Sequence, residues 1–137
     1  MSRKRFLLDT NIVSDLVRNP SGRIAIKIRD SGEESIAVSI ITAAEIRYGC
    51  RKKGSKTLSV QVNKILEQIE ILPVEEPCDH FYAEIRHQLQ SRGEIIGGND
   101  LLIASQAIAT SRILVTANLG EFSRVSGLKI ENWLAHP

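Results

Sequence analysis

Cysteine is scarce in this chain of 137 residues, and its two copies lie far apart. Cys50 and Cys78 form no C-x-x-C pair and belong to no cluster of cysteines and histidines. Structural zinc sites need such clusters, so the sequence argues against zinc. Isolated cysteines are typical of reduced thiols in the cytosol, and we therefore expect a cytoplasmic protein.

Aromatic residues and long hydrophobic runs are also few. The chain has three Phe, two Tyr and one Trp, which is a poor supply for the stacking platforms that bind single-stranded nucleic acids. The apolar run Phe6–Leu8 behind the basic N-terminus is too short for a signal peptide. No run approaches the length of a membrane span, so we expect no membrane association and a chain that stays in the cytosol.

Several nucleotide-binding and catalytic motifs are missing. The sequence has no G-x-x-x-x-G-K-[ST] loop, no G-x-G-x-x-G after a strand and no G-x-S-x-G turn. These absences argue against ATP hydrolysis by a P-loop, against a dinucleotide-binding loop and against a nucleophile elbow. His80, His87 and His136 stand at no recognisable spacing from a serine or cysteine. Nucleophilic catalysis by a serine or cysteine is therefore not indicated.

What is present is the composition of an ordinary soluble domain. Hydrophobic residues make up 42% and charged residues 25% of the chain, and its length suits a single domain over residues 1–137 with its own core. The formal charge is only +2, yet basic residues cluster at Arg3–Arg5 and again between Arg47 and Lys56. Such a patch can gather phosphates, although a solvated helix face is the more common explanation.

Hydrophobic periodicity predicts strands that alternate with helices. Short apolar runs predict strands at Phe6–Leu8, Ser35–Ile40, Ile69–Val74 and Ile113–Thr116, with an edge strand at Gly127–Ile130. Helical patterns occur at about Thr10–Arg18, after an N-cap at Ser21, at Thr42–Lys53, around Leu58–Ile69, at Cys78–Ser91 and at Leu101–Ala109, with a short turn at Leu119–Arg124. This alternation predicts an α/β fold with a central parallel sheet of four to five strands and right-handed crossovers.

Four acidic residues fall near the ends of these strands. Asp9 follows the first strand, Glu45 lies in the first turn of the helix after the second, and Glu121 follows the fourth. Because the carboxyl ends of parallel strands share one edge of the sheet, we expect these three side chains there. Asp100 lies in the first turn of the helix before the fourth strand, so its arrival depends on where that helix packs.

Two of these acids have a clear local explanation. Asp9 can cap the helix that begins at about Thr10. Glu45 stands three residues after Thr42, which is the spacing of a capping box. On local grounds alone, helix capping explains both carboxylates without any chemistry.

The other two acids have similar alternatives. Asn99 can cap the helix that carries Asp100, and an acid in the first turn suits the helix dipole. Asn118 and Glu121 again have the spacing of a capping box. Local structure does not explain why four acids follow sheet strands without an evident basic partner.

Acids that pack together disfavour each other's ionised form unless a cation joins them. Carboxylate oxygens suit Mg²⁺ or Mn²⁺, and such a site commonly performs phosphoryl chemistry by positioning a phosphodiester and lowering the pKa of bound water. Four short polar residues beside the acids are candidates for orienting a carboxylate or a water: Thr10, Asn11, Thr116 and Asn118. For Asn11 we favour turn and cap chemistry instead.

Four segments, in this order, resemble the signature segments of PIN-domain ribonucleases. They are Leu8–Asn11, Ala44–Gly49, Gly98–Ala104 and Val115–Asn118, the last continuing through Glu121–Phe122. The tail Arg124–Trp133 is similar to that of the VapC-type toxins of VapBC toxin–antitoxin pairs. The resemblance covers nearly the whole chain and implies a PIN-like three-layer α/β/α fold.

The resemblance implies a Mg²⁺- or Mn²⁺-dependent endoribonuclease that cuts structured RNA, commonly tRNA. By motif position, Asp9 and Asp100 would hold the principal metal ion. Glu45 would complete the ligand shell or take a proton from the attacking water, and Glu121 would support a second ion. Many PIN proteins have Asp where Asn118 stands, while VapC-type chains often combine Asn there with an acid at the Glu121 position.

Partners follow from the same resemblance. It implies a homodimer and a VapB-type antitoxin whose C-terminal segment blocks the cleft. It also implies that operator DNA is bound only through the antitoxin. The basic residues Arg47, Arg51 and Arg124 are our candidates for contacts with the RNA backbone.

Two other functions stay open at the level of sequence. A PIN-like chain that acts only within a regulatory toxin–antitoxin complex, without cleaving, would carry the same motifs. A phosphotransferase of the haloacid-dehalogenase or receiver type also uses an Asp after the first strand. It would need a second acid beside Asp9, where Thr10 and Asn11 stand, and a lysine near a later strand, where Thr116–Asn118 stands.

Overall fold

The centre of the molecule is one parallel sheet of five short strands. They are β1 (Phe6–Leu8), β2 (Ile36–Ser39), β3 (Glu70–Leu72), β4 (Ile113–Val115) and β5 (Ile130–Glu131). The sheet order is β3-β2-β1-β4-β5, with every neighbouring pair parallel. The computed structural model describes residues 5–135, so Arg3, Lys4 and His136 lie outside it.

Helices connect these strands. They are α1 (Thr10–Arg18), α2 (Arg23–Ser31), α3 (Ile40–Lys53), α4 (Lys56–Glu67), α5 (Cys78–Ser91), α6 (Gly98–Ala109) and α7 (Leu119–Phe122), with a 3-10 turn at Glu33–Ser35 before β2. The predicted bounds of α1 and α5 agree with the structure, and the predicted α/β class with a parallel sheet is confirmed.

The inner strands β1, β2 and β4 are buried on both faces, which explains their apolar runs without alternation. The edge strands β3 and β5 are partly exposed. Phe6 and Leu8 of β1 point into one core layer, while Leu7 between them points into the other. The first layer is closed by buried residues of α1 to α4, and the second by buried residues of α5 to α7. The result is the predicted three-layer α/β/α arrangement.

Strand order creates a crevice at the carboxyl ends of β1 and β4. The chain leaves β1 for β2 on one side of the sheet, and β4 returns on the other side of β1. Such a reversal of strand order is where open α/β sheets bind ligands. Asp9 follows β1 and Thr116 follows β4, so both lie at this switch point.

Helix α3 begins earlier than its sequence pattern suggested, which overturns the predicted capping box. Ser39, the last residue of β2, is its N-cap, and the hydroxyl of Ser39 accepts a hydrogen bond from the N–H of Ile41 at 3.1 Å. Thr42 lies inside the helix and is fully buried. Because Glu45 is then in the second turn rather than the first, it has no capping role.

Two further predicted caps are wrong. The N-cap of α2 is Gly22, not Ser21, and the N-cap of α6 is Gly97, not Asn99. Since α6 begins at Gly98, its first turn carries both Asn99 and Asp100. Strand β5 also begins later than the predicted Gly127–Ile130.

Cys50 and Cys78 are both buried as free thiols, as the cysteine count predicted. Across residues 5–135, no helix is both long enough and apolar enough to span a bilayer.

Candidate active site

Asp9 is the centre of the site, and it serves two purposes with its two oxygens. Its Oδ1 accepts a hydrogen bond from the N–H of Thr10 at 2.8 Å, which caps α1. Its Oδ2 accepts from Oγ1 of Thr116 at 2.7 Å and from Nδ2 of Asn11 at 3.1 Å. The residue is only 3% exposed. Capping and a place in the site are therefore compatible, because they use different atoms.

Residues after β4 hold Asp9 from the far side of the crevice. The hydroxyl oxygen of Thr116 accepts the N–H of Asn118 at 3.0 Å, so its one hydrogen is left for Asp9. The side chain of Asn11 spans the same gap, because its Oδ1 accepts the N–H of Ala117 at 3.0 Å. Asn11 thus ties β1 to the segment after β4 and does not cap α1.

Glu45 joins three helices at the edge of the site. Its Oε1 accepts a hydrogen bond from Oγ1 of Thr10 at 2.6 Å, and its Oε2 accepts from Nδ2 of Asn99 at 3.3 Å. The contact from Asn99 was missed in the sequence because we assigned that residue to a cap. The one sign of this contact in the sequence is that Asn99 directly precedes Asp100 in the first turn of an apolar helix.

Asp100 and Glu121 share a hydrogen bond between their carboxyl groups. Burial, this hydrogen bond, and the charges of Asp9, Glu121 and Glu45 raise the pKa of Asp100 from its ordinary 3.8 to about 7. The hydrogen bond from Asp100 lowers the pKa of Glu121, which also accepts Nδ2 of Asn118 at 3.1 Å. Because the two pKa values are shifted in opposite directions, a proton shared by the pair favours Asp100, the more buried partner.

The charge interactions join all four acids into one cluster. Burial raises the pKa of Asp9 above its ordinary value, opposed by the hydrogen bonds from Thr116 and Thr10 and reinforced by the charge of Glu45. Glu45 and Asp9 in turn contribute to the raised pKa of Asp100. Helix α6 therefore delivers Asp100 to the same sheet edge, which the sequence alone did not determine.

The ligand chemistry of this cluster fits a hard divalent cation. Its members offer carboxylate oxygens only. The raised pKa of Asp100 favours a proton shared with Glu121, and a cation at the same place would also offset the negative charges of the cluster. Within residues 5–135, however, no three Asp, Glu, His or Cys side chains are already gathered closely enough to hold a metal ion. Binding would require the carboxylates to move together and release that proton.

The three arginines predicted to contact RNA occupy different surroundings. Nη1 of Arg47 donates to Oδ1 of Asn63 on α4 at 2.6 Å, so this guanidinium is already engaged within the protein. Nη1 of Arg124 donates to the carbonyl of Ile95 at 3.3 Å, and its charge lowers the pKa of Glu121. Arg51 is exposed near the end of α3.

The raised pKa of Asp100 predicts that the metal-free protein loses stability as the pH rises. Its pKa of about 7 in the folded state lies above the ordinary 3.8, so the folded protein holds this proton more tightly than the unfolded chain. The contribution is present at low pH and is lost as the pH rises through about 7. We expect a fall on the order of 1–2 kcal/mol between about pH 5.5 and 8, discounted because this carboxyl is only half-buried.

Thermal or urea unfolding in excess chelator at the two pH values measures this loss. The control is Asp100→Asn, whose amide keeps a donor toward Glu121 but has no titrating proton. Its stability should depend less on pH over the same interval. The same dependence in both proteins would show that Asp100 does not carry the effect.

Comparison with known proteins places this chain in a family. The PIN domain family matches residues 6–128. Ribonuclease VapC2 from Rickettsia felis is 38% identical over 130 residues, covering 93% of this chain and 97% of that protein. The tRNA(fMet)-specific endonuclease VapC from Shigella flexneri is 29% identical over 131 residues, covering 94% and 98%.

The fold agrees with these matches. The crystal structure of VapBC2 from Rickettsia felis, bound to a DNA fragment from its promoter, superposes with a TM-score of 0.86 and 36% identity, covering 93% of this chain and 98% of that one. The match to the domain family spans every segment that carries a site acid. The chain therefore belongs to the PIN-domain family, among the VapC-type ribonucleases.

Proposed function

We propose that this chain is a Mg²⁺- or Mn²⁺-dependent endoribonuclease that cleaves structured RNA, with tRNA as the first candidate, and that a VapB-type antitoxin inhibits it. The observation that carries the proposal is the four-acid cluster at the switch point of the sheet. Asp9, Glu45, Asp100 and Glu121 interact there through hydrogen bonds and charge. Such a cluster repels RNA phosphates unless a cation lies between them.

Each acid has a role that its surroundings favour. Asp9 and Asp100 would hold the principal ion, because burial and neighbouring negative charges raise the pKa of both carboxyls, and a bound cation would relieve that cost. A bound Mg²⁺ or Mn²⁺ supplies the positive charge that attracts the phosphodiester and favours ionised water. Glu121 would support the principal ion or hold a second ion.

Glu45 is positioned to accept a proton from the attacking water. Thr10 and Asn99 fix its two oxygens while leaving lone pairs on each. It is less enclosed than Asp9, since its residue is only partly buried. A carboxylate oxygen with a free lone pair can accept a proton from a bound water as a general base.

Substrate and partners rest on the relatives. A Shigella flexneri relative is named as specific for tRNA(fMet), which makes tRNA the first substrate to test. Two of the structural neighbours are VapBC complexes, from Rickettsia felis and Haemophilus influenzae, and the first of these is bound to promoter DNA. We infer a homodimer that binds operator DNA through its antitoxin. A groove of about 200 Å³ between α1, α3 and α4 starts at Thr10 and Glu45 and is a suitable place for an antitoxin segment.

Cleavage of total cellular RNA tests the proposal. Purified protein free of antitoxin is incubated with RNA in Mg²⁺, in Mn²⁺ and in excess chelator, and the cut ends are mapped. We expect discrete cuts in either metal and none in chelator, with activity restored when metal is added back. Mapping the ends also identifies the RNA.

Two outcomes would count against it. Equal cutting in chelator would remove the metal from the proposal. No cutting by folded, antitoxin-free protein, on either total RNA or purified tRNA, would favour a PIN-domain chain that works only within a regulatory complex.

A further inference from the structure

Tyr48 is the most exposed large hydrophobic side chain among residues 5–135, with 66% of its surface open to solvent. It lies on α3, three residues after Glu45, so the two side chains are neighbours on the helix surface. The opposite face of the same helix is buried through Ala43, Ile46 and Cys50. Most of the surface of this tyrosine is therefore open to solvent close to the acid cluster, where it is available to contact a ligand.

The surroundings of Tyr48 carry one sign of charge. The stretch 46–66 contains six Lys or Arg residues and no Asp or Glu. Arg51 and Lys52 follow Tyr48 by three and four residues, which places both on the adjoining turn, and both are exposed. Their position in the last turn of α3 also suits the helix dipole, but the dipole does not explain an exposed aromatic ring between them and Glu45.

We propose that Tyr48 stacks on a nucleobase of the substrate next to the scissile phosphate, while Arg51 and Lys52 pair with phosphates of the same strand. This inference rests on the proposed RNA cleavage. Base stacking on an aromatic side chain and cationic contact with the backbone are the two elements of single-strand recognition. The few aromatic residues of this chain argue against a stacking platform for several bases. One tyrosine is nevertheless enough to stack on one unpaired base.

The geometry favours RNA over a protein partner. Along α3 the order is acid cluster, aromatic ring, then cations, which is the order in which one strand would present its cut site, a base and further phosphates. Arg47, which points toward α4 through its bond to Asn63, is not part of this strip. Tyr48 therefore determines which nucleotide lies beside the cut.

Kinetics on one mapped RNA substrate test the role of Tyr48. Tyr48→Ala should raise KM on the order of tenfold with little change in kcat, because it removes one stacking contact. Tyr48→Phe and Tyr48→Trp keep a flat ring and should retain most of the affinity. Ile26→Ala is the matched control, since Ile26 is 49% exposed on α2, outside this strip.

A fluorescent base reports the contact directly. RNA with 2-aminopurine next to the mapped cut is bound to Asp100→Asn protein, so that it stays intact. Its fluorescence should be quenched by that protein and recover when Tyr48→Ala is added to the same background. Unchanged KM and unchanged fluorescence in Tyr48→Ala would overturn the inference.

Two other results are distinguishable. If Tyr48→Ala changes the molecular mass measured by light scattering, the ring belongs to an interface with a second copy, and the inference is wrong. If the parent protein cuts no RNA, the proposed function fails as well. Normal cutting by the parent and an unaffected Tyr48→Ala variant contradict only the inference about this residue.

Discussion

Replacing Asp100 with asparagine should reduce RNA cleavage by about 100- to 1,000-fold while leaving the protein folded. The amide removes one negative charge from the cluster where the proposed metal ion binds. Its Nδ2 can donate to Glu121 as the protonated carboxyl of Asp100 does. In chelator at pH 8, the variant should be at least as stable as the parent, because burial and three neighbouring carboxylates disfavour the ionised form of Asp100.

The matched control for this prediction is Asp79→Asn. Asp79 also lies in the first turn of a helix, α5, but it is exposed and belongs to another part of the molecule. Initial rates of cleavage and melting temperatures are compared for the three proteins in Mg²⁺ and in chelator. Normal cleavage by Asp100→Asn would remove this residue from the site, and a loss in Asp79→Asn would show that the assay reports charge alone.

The second large effect is expected for Thr116→Val, which keeps the shape of the side chain and removes its hydroxyl. Asp9 then loses the 2.7 Å hydrogen bond from Thr116, and the N–H of Asn118 loses its acceptor. Water hardly reaches this part of the crevice, since Asp9 is 3% exposed and Thr116 is 0% exposed. We expect cleavage to fall by about 10- to 100-fold and the free energy of unfolding by about 1–3 kcal/mol.

Thr116→Ser separates the hydroxyl from the methyl group. The serine keeps the donor to Asp9 and the acceptor for Asn118, so its cleavage should stay close to that of the parent. Its stability should fall by only about 1 kcal/mol for the missing methyl group. Urea unfolding and cleavage rates are measured side by side for the two variants. A loss in Thr116→Ser with none in Thr116→Val would mean that the methyl group matters and the hydrogen bond does not.

Local patterns predicted much of the secondary structure because they depend on neighbouring residues. The run Phe6–Leu8 and the spacing of Ile12, Val13, Leu16 and Val17 have the periods of a strand and a helix, and both elements form there. The helix Cys78–Ser91 was predicted for the same reason. Boundaries were less reliable, because Ser39 and Gly97 compete with equally suitable caps nearby, Thr42 and Asn99.

The sequence by itself determined the α/β class, the alternation of strands and helices, and the presence of Asp9, Glu45 and Glu121 at the ends of strands. Only the tertiary structure decided that Asp100 reaches the same edge, that Asn99 and Thr10 hold Glu45, and that Asn11 and Thr116 hold Asp9. The physical reason is the distance along the chain. Periodicity and turn chemistry act over a few residues, whereas these contacts join residues as far apart as Asp9 and Thr116 and depend on strand order and helix packing.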